Sequence, residues 1–252
     1  MNKHSEENYS KKEYEQLQKE RFGKQGYYSF ISDFAEFKEH KDEKVLEIGV
    51  GAGTDILEYG KNGSICYGCD ITENAVSLTK KIFKKYKLKG TFQVQDAEKM
   101  NYENNSFDLI YSFGVLHHTI NSQKAINEVY RTLKPGGKFI IMLYARGWRH
   151  FEILVRQGIL KAELFRFGYQ KTINKNTESK DCPCTFVFSK KKIKYLFRKF
   201  ENVKMNRVRY TTLFKNPKGW RKIMLSLPLL MGLFGLKKYL KDQWMITGYK
   251  PK

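Results

Sequence analysis

Apolar residues recur along this chain with two periods, and the switch between them marks the elements. A short apolar run, Lys44-Val45-Leu46-Glu47-Ile48, predicts a strand and runs straight into glycines. A helix from Thr54 to Gly60 follows, with Thr54 as its N-cap, and then a strand from Ile65 to Cys69 that ends at Asp70. The helix Asn74 to Lys87 places Val76, Ile82 and Phe83 on its apolar side, and Thr91 to Val94 makes a third strand. Strands over Phe107 to Ser112 and Lys138 to Tyr144 flank a helix from Gln123 to Leu133, which Lys134-Pro135-Gly136-Gly137 stops. Strands alternating with helices in this way predict an α/β fold with a doubly wound, mostly parallel sheet.

The flanks read differently. Glu6 to Phe22 predicts a polar helix, and the aromatic spacing from Tyr27 to Phe37 predicts a second, amphipathic one. Beyond Tyr144 the expectation is a helix from Arg149 to Phe167, a loop from Gln170 to Cys184, a helix from Lys190 to Phe200, and strands over Val203 to Thr211 and Trp244 to Tyr249. The organisation expected is a helical cap over 1–43, a Rossmann-like core over 44–144, and a basic lid with the final strands of the sheet over 145–252.

Ligands of doubly wound sheets sit outside the carboxyl ends of the strands, which here carry Gly49–Gly53, Asp70, Asp96, Ser112–His118 and Tyr144. The glycine turn has the spacing G-x-G-x-G and is preceded by Glu47. A pyrophosphate needs a helix N-terminus with no carboxylate nearby. S-adenosylmethionine has no phosphate and carries an ammonium and a sulfonium, so it tolerates Glu47. Asp70, 17 residues beyond Gly53, is placed to accept from ribose hydroxyls, and Asp96 from an adenine amino group.

Val45-Leu46-Glu47-Ile48-Gly49-Val50-Gly51-Ala52-Gly53-Thr54-Asp55, Gly68-Cys69-Asp70-Ile71-Thr72, Asp96-Ala97-Glu98 and Phe107-Asp108-Leu109-Ile110-Tyr111-Ser112 resemble the successive motifs of class I S-adenosylmethionine-dependent methyltransferases. Gly114-Val115-Leu116-His117-His118-Thr119 and Arg131-Thr132-Leu133-Lys134-Pro135-Gly136-Gly137 are similar to the small-molecule branch that includes ubiquinone and menaquinone biosynthesis enzymes. The resemblance spans about residues 44–144 and extends more loosely, toward bacterial members, into the remainder. It implies a seven-stranded Rossmann-like sheet with S-adenosylmethionine as methyl donor and S-adenosylhomocysteine as product. The methionine moiety would lie on Gly49, Gly51 and Gly53 with Glu47 and Ser112 beside it, the ribose on Asp70, and the adenine on Ile71, Asp96 and Ala97.

Methyl transfer from a sulfonium is an in-line displacement, so the enzyme aligns the acceptor and removes its proton where there is one. His117 and His118, just past the fourth strand, are the candidate base or acceptor-orienting groups, and backbone capping is the competing reading for each. Tyr144 could face the acceptor or the core. Ser112-Phe113-Gly114-Val115 stands where amino-adenine methyltransferases carry Asn-Pro-Pro-Tyr or Asp-Pro-Pro-Tyr, and no cysteine stands there for cytosine-C5 chemistry.

Cys66 and Cys69 share a strand at an odd separation that points them to opposite faces, so no metal site is expected of them. Cys182 and Cys184 form a closer pair in a polar loop. With no secretory leader, no run of about 18 apolar residues and no disulfide framework, a cytoplasmic chain is expected.

The charge of +21 is lopsided: residues 145–252 hold 26 Lys and Arg against 6 Asp and Glu. Within them the uncharged run Ile223 to Leu236, interrupted by Pro228, lies between Arg221-Lys222 and Lys237-Lys238. An apolar stretch bounded by cations suits an anionic membrane surface or an apolar acceptor, and a packed helical pair or a dimer contact explains it equally. The expected function is methylation of a small-molecule, lipid-like or glycan acceptor, with peripheral membrane contact through 220–241. A structured-RNA methyltransferase using the basic segment and a noncatalytic S-adenosylmethionine-binding partner subunit are the alternatives.

Overall fold

The computed structural model describes residues 10–23, 29–159, 161–177, 184–208 and 241–252. The uncharged run Ile223 to Leu236, and Cys182, lie outside them. Strands β1 (Lys44–Ile48), β2 (Ile65–Asp70), β3 (Gly90–Val94), β4 (Phe107–Phe113), β5 (Leu133–Tyr144), β6 (Glu201–Val208) and β7 (Gln243–Tyr249) form one sheet of seven. Their order is β3-β2-β1-β4-β5-β7-β6, parallel except for β7, which runs antiparallel to both β5 and β6. The seven-stranded, mostly parallel Rossmann-like sheet implied by the motifs is therefore the fold.

Strand alternation divides the core in two. Leu46, Ile48, Ile110, Phe139, Ile141 and Leu143 pack on one face with Ile193 and Phe197, while Val45, Leu109, Tyr111, Ile140 and Met142 pack on the other with Ile56, Leu57 and Tyr59. Successive strand residues point to opposite faces, and both faces are covered by helices. Cys66 and Cys69 obey the same rule and enter opposite clusters. Burial pushes both thiols up to about 12, helped by Glu47 at the first and Asp70 at the second.

Helices α1 (Lys11–Phe22), α2 (Ile31–Phe34), α3 (Thr54–Lys61), α4 (Glu73–Lys85) and α5 (Ser122–Thr132) precede β5. After it come α6 (Trp148–Ile153), a π-helical stretch Leu154–Ile159, α7 (Glu163–Thr177) and α8 (Lys190–Leu196). Four expectations need correction. The helix expected through Phe37 is a single turn, because Glu36 has φ 54° and Phe37 turns in to meet the rings of Tyr59 and Tyr111. Thr54 is the first helical residue rather than the N-cap, a place taken by Gly53 with φ 71°. β5 begins at Leu133, paired to Phe107, so Pro135 and Gly136 fall inside an irregular strand rather than a loop. Finally, the helix and loop expected over 149–184 are an interrupted helical segment that runs on to Thr177, broken at Gly168 with φ 75° and ψ 173°. Among the described residues no helix is long and apolar enough to cross a membrane.

Candidate cofactor and acceptor site

The sheet reverses its winding at β1, which pairs with β2 on one side and β4 on the other. A crevice opens there, beyond the strand ends. The chain leaves β1 through Gly49, whose φ of 84° and whose missing Cβ, which would stand 2.1 Å from Val115 Cγ2, admit only glycine. Its amide donates to the Cys69 carbonyl at 2.7 Å, and that of Gly51 to Asp70 Oδ2 at 3.1 Å. The loop is thus tied to the end of β2. A Cβ on Gly51 would meet nothing within 4 Å, so that stretch of backbone is open to an incoming group.

Two carboxylates occupy the start of α3. Glu47, 3% exposed, accepts from the Ile56 amide at 2.8 Å. Burial pushes its carboxyl well above the usual range, and Asp55 pushes further, against the pull of Arg21. Asp55 accepts from Arg21 at 2.5 and 2.7 Å and from the Tyr111 hydroxyl at 2.7 Å. Burial disfavours the Arg21 charge, but Asp55 and its hydrogen bonds outweigh that and hold it firmly protonated. One amide of the first helical turn is therefore already taken by Glu47, and a phosphate there would meet the carboxyls of both Glu47 and Asp55.

The crevice encloses about 190 Å³ between Ile48 and Gly49, Asp70 and Ile71, Asp96 and Ala97, and Val115 and His118. Ile71 is 71% exposed and offers its side chain to the crevice as an apolar wall. Asp70 stands beside it, its Oδ1 accepting from the Thr72 amide and hydroxyl at 3.0 and 2.9 Å. Asp96 caps the Glu98 amide at 2.8 Å. Of the residues expected around the cofactor, Gly49, Asp70, Ile71, Asp96 and Ala97 line this space. Glu47 lies beneath the loop, and Ser112, fully buried, donates to the Ile48 carbonyl at 2.9 Å and ties β4 to β1. Gln95, Glu98, Thr119 and Ile120 also line the crevice and were not anticipated. Gln95, next to the strand end, and Glu98 and Thr119, within the quoted motifs, had a positional signal, and Ile120 had none.

The histidines separate sharply. His117 is fully buried, its ring stacked on Tyr144 at 3.8 Å, and burial with help from His118 drives its pKa well down despite the Met142 backbone. His118 is half-buried and lines the crevice, its Nδ1 2.9 Å from the Cys184 carbonyl and 3.3 Å from Thr185 Oγ1. The Cys184 thiol in turn donates to the His118 carbonyl at 3.1 Å.

Residues 46–141 match a family model described as a methyltransferase domain. They belong to the class I S-adenosylmethionine-dependent methyltransferases. Within its curated relatives the domain is 28% identical over 120 residues to phosphoethanolamine N-methyltransferase 2 of Caenorhabditis elegans, covering 47% of this chain and 27% of that one. It is also 28% identical over 111 residues to ubiquinone biosynthesis O-methyltransferase of Coxiella burnetii, covering 44% of this chain and 47% of the other. This chain thus spans about a quarter to a half of the length of these relatives. The fold extends further than the sequence likeness. The YcgJ protein of Bacillus subtilis superposes with a TM-score of 0.55 at 18% identity, over 86% of this chain and 96% of that one. Phosphoethanolamine N-methyltransferase 2 of Haemonchus contortus, in complex with S-adenosyl-L-methionine, superposes with a TM-score of 0.61 at 17% identity, over 97% of this chain and 58% of that one. The likeness of fold thus extends beyond residues 46–141 over most of the chain.

Proposed function

We propose that the chain transfers a methyl group from S-adenosylmethionine to a small-molecule, lipid-like or glycan acceptor that enters on the His118 side of the crevice. One observation carries this reading. Asp70, exposed Ile71 and the Asp96-Ala97 pair stand side by side in a single crevice, next to a helix start that already holds the carboxyls of Glu47 and Asp55. That donor set fits a nucleoside without phosphates. Asp70 would hold the ribose hydroxyls, Ile71 would pack on the adenine, Asp96 with Ala97 would meet its edge, and the open backbone at Gly51 would lie under the methionine part. The bound cofactor supplies an electrophilic methyl on sulfur. His118 takes the proton of the acceptor or orients it, while buried His117 packs behind and keeps Tyr144 in place.

The names of the relatives point to an amine in one case and an oxygen in the other, and a charged or quinone-like acceptor is compatible with both. The cationic excess of 145–252 suits an anionic acceptor or an acidic membrane surface that holds it. Two variants test the reading by calorimetry with S-adenosylhomocysteine and by transfer of labelled methyl to phosphoethanolamine and to prenylated phenols. Asp70→Ala should weaken cofactor binding roughly 10- to 100-fold, the worth of a hydrogen bond to a charged group. His118→Ala should keep binding and lose transfer. A wild-type chain that binds no S-adenosylhomocysteine, or a His118→Ala chain that methylates normally, would overturn it.

A further inference from the structure

The segment that follows α7 returns to the crevice and lies along the turn that carries the two histidines. Phe186 donates its amide to the His117 carbonyl at 2.9 Å, and Phe188 to the Tyr144 carbonyl at 2.8 Å. Between them and α7 sits Thr185, 1% exposed, and both polar groups of its backbone are taken by side chains. Its amide donates to Asn174 Oδ1 at 2.9 Å, and its carbonyl accepts from Gln170 Nε2 at 2.7 Å. Gln170 Nε2 also donates to Asn174 Oδ1 at 2.8 Å, which closes a ring of three hydrogen bonds. Gln170 and Asn174 are one turn apart on α7 and so share a face.

We infer that Gln170 and Asn174 are positioning residues which, through the Thr185 peptide, decide which nitrogen of His118 carries the proton. A backbone carbonyl only accepts hydrogen bonds, so His118 Nδ1, 2.9 Å from the Cys184 carbonyl, is the protonated nitrogen. Thr185 Oγ1, at 3.3 Å, lies within reach of the same nitrogen. In the neutral ring Nε2 then keeps the lone pair, and only that nitrogen can take a proton from an acceptor. The Cys184 carbonyl belongs to the peptide whose amide is that of Thr185. Asn174, by holding that amide, therefore orients the carbonyl on the other side of the same planar bond. Gln170 fixes Asn174 and the Thr185 carbonyl together. A tautomer chosen by a partner outside the reacting shell follows the logic that governs histidine elsewhere. The link runs from α7, outside the matched residues 46–141, to the turn that carries His118, and it rests on His118 facing the acceptor as proposed above.

The test is nitrogen NMR of the full chain labelled at histidine, with the His118 signals assigned by their loss in His118→Gln, above the titration range of the ring. The wild-type ring is expected in the Nδ1–H form. Asn174→Leu should move the tautomer ratio roughly tenfold toward Nε2–H, the ratio that one net hydrogen bond is worth. Asn174→Asp, which keeps the acceptor both donors use, should hold the wild-type ratio. Gln170→Glu, equal in shape but without the donor, should move it in the direction of Asn174→Leu, and it keeps the question open to test where the leucine variant fails to fold. A wild-type ring found mainly as Nε2–H, or a ratio unmoved by both Asn174→Leu and Gln170→Glu, overturns the inference. If the ratio moves as expected while His118→Ala still methylates, the clamp stands and the base assignment falls.

Discussion

His117 and His118 are neighbours in sequence and opposites in environment. The first has no exposure and a stacked aromatic partner, and the second faces the crevice with its Nδ1 on a carbonyl. Because burial depresses the pKa of His117, the folded chain refuses a proton that the unfolded chain accepts near pH 6.5. Its contribution to stability is complete above that value and is lost as the pH falls below it, toward the depressed pKa of the folded ring. Urea denaturation of the wild type should therefore show stability falling from about pH 6.5 downward. His117→Phe should flatten that slope, and an unchanged slope would remove His117 from the account. His118→Ala should act on methyl transfer.

At the scale of elements, α1 is fastened to the glycine loop and to the helix α3 that follows it. Tyr14 donates to the Ala52 carbonyl at 2.9 Å, and Gln18 to Glu58 at 2.5 Å. The Arg21 guanidinium grips Asp55, which is 1% exposed. Removing one member of a buried pair leaves the other charged without its counterpart. Arg21→Met should cost about 3 kcal/mol in chemical denaturation. Because the same helix holds Ala52, cofactor affinity should fall with it. A variant with wild-type stability would show that the Tyr111 and Thr54 hydroxyls suffice for Asp55. Gly49→Ala belongs to the same scale. With φ 84° and Val115 2.1 Å from the new Cβ, both the loop and the crevice wall must shift, and binding of S-adenosylhomocysteine measured by calorimetry should be lost.

For the whole molecule, charge and sheet order matter most. Residues 145–252 hold nearly all the excess positive charge, while the crevice is walled by Asp70, Asp96 and Glu98. If that excess serves an acidic surface, sedimentation with phosphatidylserine vesicles should fall steeply as salt shortens the screening length below about 8 Å, and neutral vesicles should not bind. Binding that ignores salt would assign the charge to solvation alone.

The central strands β1, β4, β5 and β7 were legible as apolar runs because a strand buried on both faces leaves few polar positions to confuse the pattern, whereas the edge strand β6 was legible from its alternation. The placement of Asp70 and Asp96 at the crevice was legible too, since both stand at the ends of expected strands. What the pattern missed has a common cause. Glu47 and Ser112 sit at strand ends like the others, yet their side chains point to a helix start and a neighbouring strand, which sequence position does not record. The stretch around Gly168 lacks a steady period, so its helix could not be separated from a loop. By itself, then, the sequence determined the alternation of elements, the family and the class of ligand, because these depend on residues close together along the chain. Only the tertiary structure separated buried His117 from crevice-lining His118, gave Thr185 its two amide partners, and brought α1 onto the glycine loop. Those choices depend on which segments meet across 11 to 67 residues of chain, and packing alone settles that.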